Sequence, residues 1–160
     1  MRTILQFLSL LTVANGAPVI AKVILGDALA YPIDGGMHLF DGQPLFGSSK
    51  TIRGFVLSVA VTALCGSLVG VGWWTGVVVA NAAMAGDLLS SFVKRRLKLP
   101  PSSRASGLDQ VPESLLPVLA CRNTLAFGLV DAVVIVAAFF AGEVLISRLL
   151  YRWHIRERPY

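Results

Sequence analysis

Apolar positions in this chain come in long blocks rather than at the alternating period of a strand. Five blocks approach the roughly twenty residues that cross a bilayer. The first runs from about Thr3 to Tyr31 and is interrupted at Asn15-Gly16-Ala17-Pro18. A proline removes one helical hydrogen bond, so this segment predicts a kinked or broken helix with a new start near Pro18. The second runs from about Ile52 to Val71, and Trp73 and Trp74 follow it like interfacial anchors. The third, from about Thr75 to Phe92, ends in Lys94-Arg95-Arg96. The fourth, from about Pro112 to Phe127, is short and polar, with Glu113, Arg122 and Asn123. The fifth, from about Leu129 to Leu150, precedes the tail Tyr151 to Tyr160. The predicted fold is all-α: a single membrane-embedded domain, residues 1–160, with about five transmembrane helices.

Composition strengthens the membrane assignment. The chain is 55% hydrophobic and 14% charged, against roughly 45–50% and about 25% in soluble domains. A chain of 160 residues cannot hide that much apolar surface in its own core. A soluble enzyme, a disulfide scaffold, a disordered tail and a nucleic-acid module are all disfavoured. Cys65 and Cys121 lie in apolar stretches without metal-ligand spacing and read as small core residues.

The net charge of +5 reads as basic loops against anionic lipid rather than as a nucleic-acid surface. Lys50, Arg53, Lys94, Arg95, Arg96, Lys98, Arg104, Arg152, Arg156 and Arg158 fall on one side of a five-span arrangement. The opposite side holds Arg2, the Trp73-Trp74 turn and Arg122. This bias predicts a cytoplasmic first group, an outside N-terminus and an inside C-terminus. Arg2 and the apolar run to Val13 mimic a signal peptide. Removing that segment would leave half a span, so the expectation is an uncleaved first helix.

Two polar connections, Pro32 to Arg53 and Lys94 to Glu113, fall on that cytoplasmic side. The first is rich in Gly, Ser, Thr, Lys and Arg, the composition that cradles a phosphate. Its glycine spacing before Lys50 is not that of a Walker loop. A tight turn with Lys50 and Arg53 snorkelling explains the same residues equally well. In the third block, Asp87 lies close to the hydrocarbon edge, where an unpaired carboxylate costs on the order of 2–3 kcal/mol or more. Helical spacing aligns Asp87, Ser91 and Lys94. Asp87 is therefore either ion-paired with Lys94 or Arg95, or a metal ligand facing a polar cavity. Asp109 is a candidate helix N-cap, and Glu113 follows it. Carboxylates from different spans beside a Gly/Ser/Lys/Arg loop suit magnesium with a polyphosphate. His38 and His154 read as interface residues rather than ligands.

Taken together, these elements resemble a family. Gly47-Ser48-Ser49-Lys50-Thr51-Ile52-Arg53-Gly54 resembles its Gly-x-x-Lys-Thr-x-Arg-Gly element. Gly86-Asp87-Leu88-Leu89-Ser90-Ser91-Phe92-Val93-Lys94-Arg95-Arg96 resembles its Gly-Asp-x-x-x-Ser-Phe-x-Lys-Arg-Arg element, and Leu108-Asp109-Gln110 its Leu-Asp-Gln. Asn15-x-x-Pro18, Asp34-Gly35-Gly36 and the Pro159-Tyr160 end also agree. The family is CDP-archaeol synthase, whose second and third elements are similar to the signature of phosphatidate cytidylyltransferase.

The resemblance implies a five-span, all-α cytidylyltransferase. It would move CMP from CTP to a membrane lipid phosphate, archaeol-phosphate-like or phosphatidate-like, with Mg2+, in phospholipid biosynthesis. Asp87 and Asp109 would be the metal ligands, and Lys94 and Arg95 would join them in catalysis. Lys50, Thr51, Arg53 and Gly54 would bind substrate, with Asn15, Asp34 and Ser91 as further members of the site. The implied partners are CTP, the lipid phosphate and the bilayer, with no nucleic acid. The contrasting reading is a small non-enzymatic membrane protein, a transporter subunit or scaffold, which does not explain the concentration of charge in two same-side loops.

Overall fold

The computed structural model describes residues 1–100, 103, 105 and 107–152, with side chains through Ile146. Five helices follow one another: α1 (Arg2–Leu25), α2 (Ile52–Leu68), α3 (Trp73–Arg96), α4 (Gln110–Leu125) and α5 (Leu129–Arg152). They stand where the apolar blocks predict them. Three segments, Arg2–Leu25, Trp73–Arg96 and Leu129–Ile146, are long and apolar enough to cross a bilayer. α2 has 17 residues and α4 has 16, so at 1.5 Å per residue both fall short of the roughly 30 Å hydrocarbon core. Arg104, Arg156, Arg158, His154 and the Pro159-Tyr160 end lie outside the described residues, as does the side chain of Arg152.

Of the expected kink or break at Pro18, the break does not occur. α1 runs continuously through it. Pro18 leaves the Ala14 carbonyl without its helical donor. Ser58 of α2 supplies the substitute, its buried hydroxyl donating to Ala14 O at 2.7 Å. A neighbouring helix can thus heal a proline site inside a membrane. Gly54 permits the approach, because a Cβ there would stand 3.2 Å from Pro18 Cβ.

Packing differs at the two ends of the bundle. Away from the long loops, Phe7, Leu10, Leu11, Val79, Val118, Cys121, Phe127, Ile135 and Phe139 form one apolar cluster. Phe7 and Phe127 meet edge to face at 5.0 Å. Toward the loops, the buried residues become small or polar: Ala80, Ala83, Ser90, Ser91, Gln110, Glu113 and Ser114. Large apolar side chains instead face outward, including Ile20, Val23 and Ile24 of α1 and Val130 and Val133 of α5. Lipid is as apolar as a protein core, so small residues and polar contacts are left to hold membrane helices together. Trp73 and Trp74 open α3 on the remote end, both exposed and stacked edge to face.

Candidate functional site

The loop from Gly26 to Thr51 and the end of α3 meet over the polar end of the bundle. The loop folds back on itself through two short antiparallel pairings, Pro32 opposite Thr51 and His38 opposite Pro44. Asp34 organises it. Its Oδ1 accepts from Gly36 N at 3.0 Å, and its Oδ2 accepts from Phe46 N at 2.9 Å and Gly47 N at 3.2 Å. Burial pulls this carboxyl upward, but the backbone donors outweigh it and hold it below the ordinary value of 3.8. Arg96 fixes the tip from the other side. It bonds Asp41 Oδ1 at 2.7 Å, Pro44 O at 2.7 Å and Gln43 O at 3.3 Å.

This loop delivers Lys50 to Asp87. The ammonium lies 2.5 Å from both carboxylate oxygens, and each side chain keeps about a fifth of its surface exposed. Asp87 is thus ion-paired across the fold, to a residue of the first loop rather than to Lys94 or Arg95 on its own helix. Glu113 of α4 is 7% exposed and lies within hydrogen-bonding reach of Asp87, with Glu143 of α5 and Lys50 close enough to act on it electrostatically. Glu143 Oε2 is buried without a hydrogen-bond partner.

Gly86 makes that meeting of α3 and α4 possible. A Cβ at Gly86 would collide with the Pro112 carbonyl and stand 2.7 Å from Glu113 N. Any side chain there would push the first turn of α4, and Glu113 with it, away from Asp87.

A second ion pair lies two helical turns further along α3, about 10 Å by helix geometry. Lys94 Nζ stands 2.6 Å from Asp109 Oδ1 and donates to Ser103 O at 2.9 Å. Asp109 Oδ2 accepts from Ala105 N at 3.0 Å. Asp109 occupies the N-cap position of α4 without making a side-chain cap bond. Gln110 Oε1 does similar work by accepting from Gly107 N at 2.7 Å. Arg95, 2% exposed, donates to Pro100 O at 2.9 Å.

The remaining sequence candidates have local duties. Arg53 donates to Gly26 O at 2.5 Å and also bonds Ala28 O, closing the end of α1. Thr51 caps α2 by accepting from Gly54 N at 3.3 Å. Asn15 donates to Leu11 O within α1 at 3.0 Å. Ser91 is buried on α3. The structure therefore gathers Asp34, Lys50 and Asp87 into one assembly and Lys94, Arg95 and Asp109 into its neighbour, and it leaves Asn15 and Arg53 engaged elsewhere. It also adds Glu113 and Glu143. An acid inside the apolar run of α5 is itself a signal, and Glu143 carried it unread.

Outward-facing apolar helices and a charged, loop-roofed end define an integral membrane protein of the α-helical bundle class. A family model described as CarS-like, CDP-archaeol synthase, matches residues 69–160. The chain belongs to the CDP-archaeol synthase family. Its similarity to the CDP-archaeol synthase of Pyrococcus furiosus is 40% identity over 107 residues, 61% of this chain and 60% of that one. The match thus spans less than two thirds of that relative's length. With the CDP-archaeol synthase of Sulfurisphaera tokodaii it shares 29% identity over 98% of this chain and 94% of the relative. A solved structure, described as an intramembrane enzyme for archaeal membrane lipids biosynthesis, superposes with a TM-score of 0.71 at 28% identity. It covers 86% of this chain and 90% of its own.

Proposed function

We propose that this protein transfers the cytidylyl group of CTP to a membrane lipid phosphate of the archaeol-phosphate type, releasing pyrophosphate at the cytoplasmic face. The observation that carries the reading is the Lys50–Asp87 pair. It is a partly exposed ion pair between a glycine-rich loop and α3, with a second acid from α4 against it. A lipid phosphate oxygen attacks the α-phosphorus of CTP. The new P–O bond forms as the bond from the α-phosphorus to the oxygen bridging the β-phosphorus breaks. No Ser, Cys or His nucleophile is required, so positioning and charge stabilisation carry the reaction. Lys50 is suited to follow the charge that collects on the departing pyrophosphate.

The acids fit a magnesium ion. Their donors are hard carboxylate oxygens, and the Lys50 ammonium already straddles both oxygens of Asp87 as a small cation would. Among the described residues, no three His, Cys, Asp or Glu side chains form a ready metal cage. Magnesium does not need one, since it uses one or two carboxylates and takes further ligands from phosphate and water. Asp87, with Glu113 beside it, would hold it, whereas Asp109 is engaged by Lys94 and the Ala105 amide. When bound, the ion would polarise the phosphates and neutralise the leaving group.

Purified protein incubated with CTP, Mg2+ and a panel of lipid phosphates should yield a CDP-lipid and pyrophosphate. Absence of product from every acceptor overturns the proposal. Asp87→Asn should reduce turnover by about a hundredfold or more while the protein still inserts, and full activity would remove Asp87 from the reaction. Magnesium-dependent CTP binding separates this reading from a transporter subunit or scaffold.

A further inference from the structure

The outward face of α3 measures the bilayer. Trp74, Ala85, Leu89, Phe92 and Arg96 recur at helical spacing on the side turned away from the other helices, and Trp74, Ala85 and Leu89 are exposed there. In a bundle whose large apolar side chains point outward, this face meets lipid. From Trp74 to Arg96 the helix rises about 33 Å, close to the roughly 30 Å of hydrocarbon. With Trp74 at one boundary, Arg96 therefore stands at the other. Its guanidinium lies over the Phe92 ring, 5.2 Å from the centroid, and so leans along the lipid-facing surface.

Arg96 is also the residue that holds the tip of the first loop, through Asp41, Gln43 and Pro44. The tip is thus carried to the rim of the bundle, at the depth of the lipid headgroups. It is an ordered turn. Leu39 N bonds Gln43 O and Gly42 N bonds Leu39 O, both at 2.9 Å. Asp41 Oδ1 accepts from Gln43 N at 3.1 Å, and Gly42 supplies the positive φ of 73° that closes the bend.

On this turn Phe40 is fully exposed. Ordering the turn costs backbone entropy, and a phenyl ring left in water forgoes about 1.5–3 kcal/mol of burial. Leu97 and Lys98, both exposed, follow Arg96 at the end of the same helix. Apolar side chains beside cations suit the boundary between acyl chains and anionic headgroups. Position selects the occupant, because this surface continues the lipid-facing stripe of α3. We propose that the tip of the first loop is a membrane anchor, with Phe40 inserted at the headgroup–acyl boundary and Lys98 beside it on lipid phosphate. The loop that carries Lys50 is then fastened to the bilayer as well as to α3.

The test places a single tryptophan at the tip. Phe40→Trp is made in the full chain with Trp73, Trp74 and Trp153 replaced by Phe, reconstituted in nanodiscs of phosphatidylcholine and phosphatidylglycerol. The emission should be strongly quenched by phospholipid brominated high on its chains, weakly by phospholipid brominated at the chain ends, and shielded from aqueous acrylamide. Ready quenching by acrylamide with no effect of brominated lipid puts the ring in water and overturns the proposal. Shielding from acrylamide without quenching by brominated lipid means that protein covers the ring, and overturns it equally. Arg96→Ala in the same background should weaken lipid quenching and restore acrylamide access. Unchanged quenching there overturns the proposal as well, because the ring would reach lipid without the residue that sets its depth. None of these readouts involves turnover, so the anchor and the proposed reaction stand or fall separately.

Discussion

The two lysine–aspartate pairs at the polar end have the same chemistry and opposite settings. Lys50 and Asp87 retain 21% and 20% of their side-chain exposure, whereas Lys94 and Asp109 retain 8% and 12%. Lys50 rides on a loop held from within by Asp34 and from α3 by Arg96. Lys94 and Asp109 are threaded into the second loop's own backbone through Ser103 O and Ala105 N. A half-open pair can exchange its partner for a ligand at little cost. A sealed pair has lost its water, so separating its members leaves a buried charge uncompensated. Equal charge therefore does not mean equal duty: the first pair is the one the proposed reaction would use, and the second holds α4 and its loop onto α3.

The sharpest way to break this contrast is to neutralise each lysine. Lys94→Met should cost about 3–5 kcal/mol of stability, the range for orphaning one member of a buried pair, read as a lower unfolding midpoint in detergent. Lys50→Met should move that midpoint far less and abolish CTP binding. Equal destabilisation by the two would erase the distinction. A smaller effect is expected of Arg96→Ala, which frees Asp41, Gln43 and Pro44 and so loosens the first loop alone. The Michaelis constant for CTP should rise about fivefold, the equivalent of about 1 kcal/mol, with the unfolding midpoint nearly unchanged. Arg96→Lys should recover only part, since one ammonium lacks the planar fork that reaches several acceptors.

The gentlest probe is acid. The folded Asp34 carboxyl lies below its ordinary value of 3.8. Its contribution is therefore complete above that value and is lost as pH falls through the lower folded value. Hydrogen-exchange protection of the Phe46 and Gly47 amides, corrected for intrinsic rates, should decline in that window. Persistent protection of Phe46 and Gly47 would mean that Asp34 does not govern the loop.

The helices were legible because a membrane span announces itself through length and apolarity, and that signal needs no knowledge of partners. Pro18 was only partly legible, for the opposite reason. Its effect depends on Ser58, a residue of another helix whose hydroxyl satisfies the carbonyl that proline strands. Asp87 stood out as an acid near hydrocarbon, but local spacing suggested Lys94 or Arg95 as its mate, and the loop instead carries Lys50 across to it. Arg53 shows the reverse limit. A cation in a glycine-rich segment looks like a phosphate ligand, yet this guanidinium is occupied by carbonyls closing α1. Residue type reveals what a group can bind; only the arrangement of the chain reveals what it has already bound.

Glycine sets how much the bundle can give. At Gly66, a Cβ would stand 2.6 Å from the Gly72 carbonyl, and at Gly76 and Gly86 it would collide with the carbonyls of Thr62 and Pro112. Main chain rests directly on main chain from α2 through α3 to α4, with no side-chain cushion to compress. These three helices form a stiff slab, so any adjustment to the lipid of the proposed reaction would fall to the margins: the first loop above, and α5, of whose apolar window only 11% is buried, along the side.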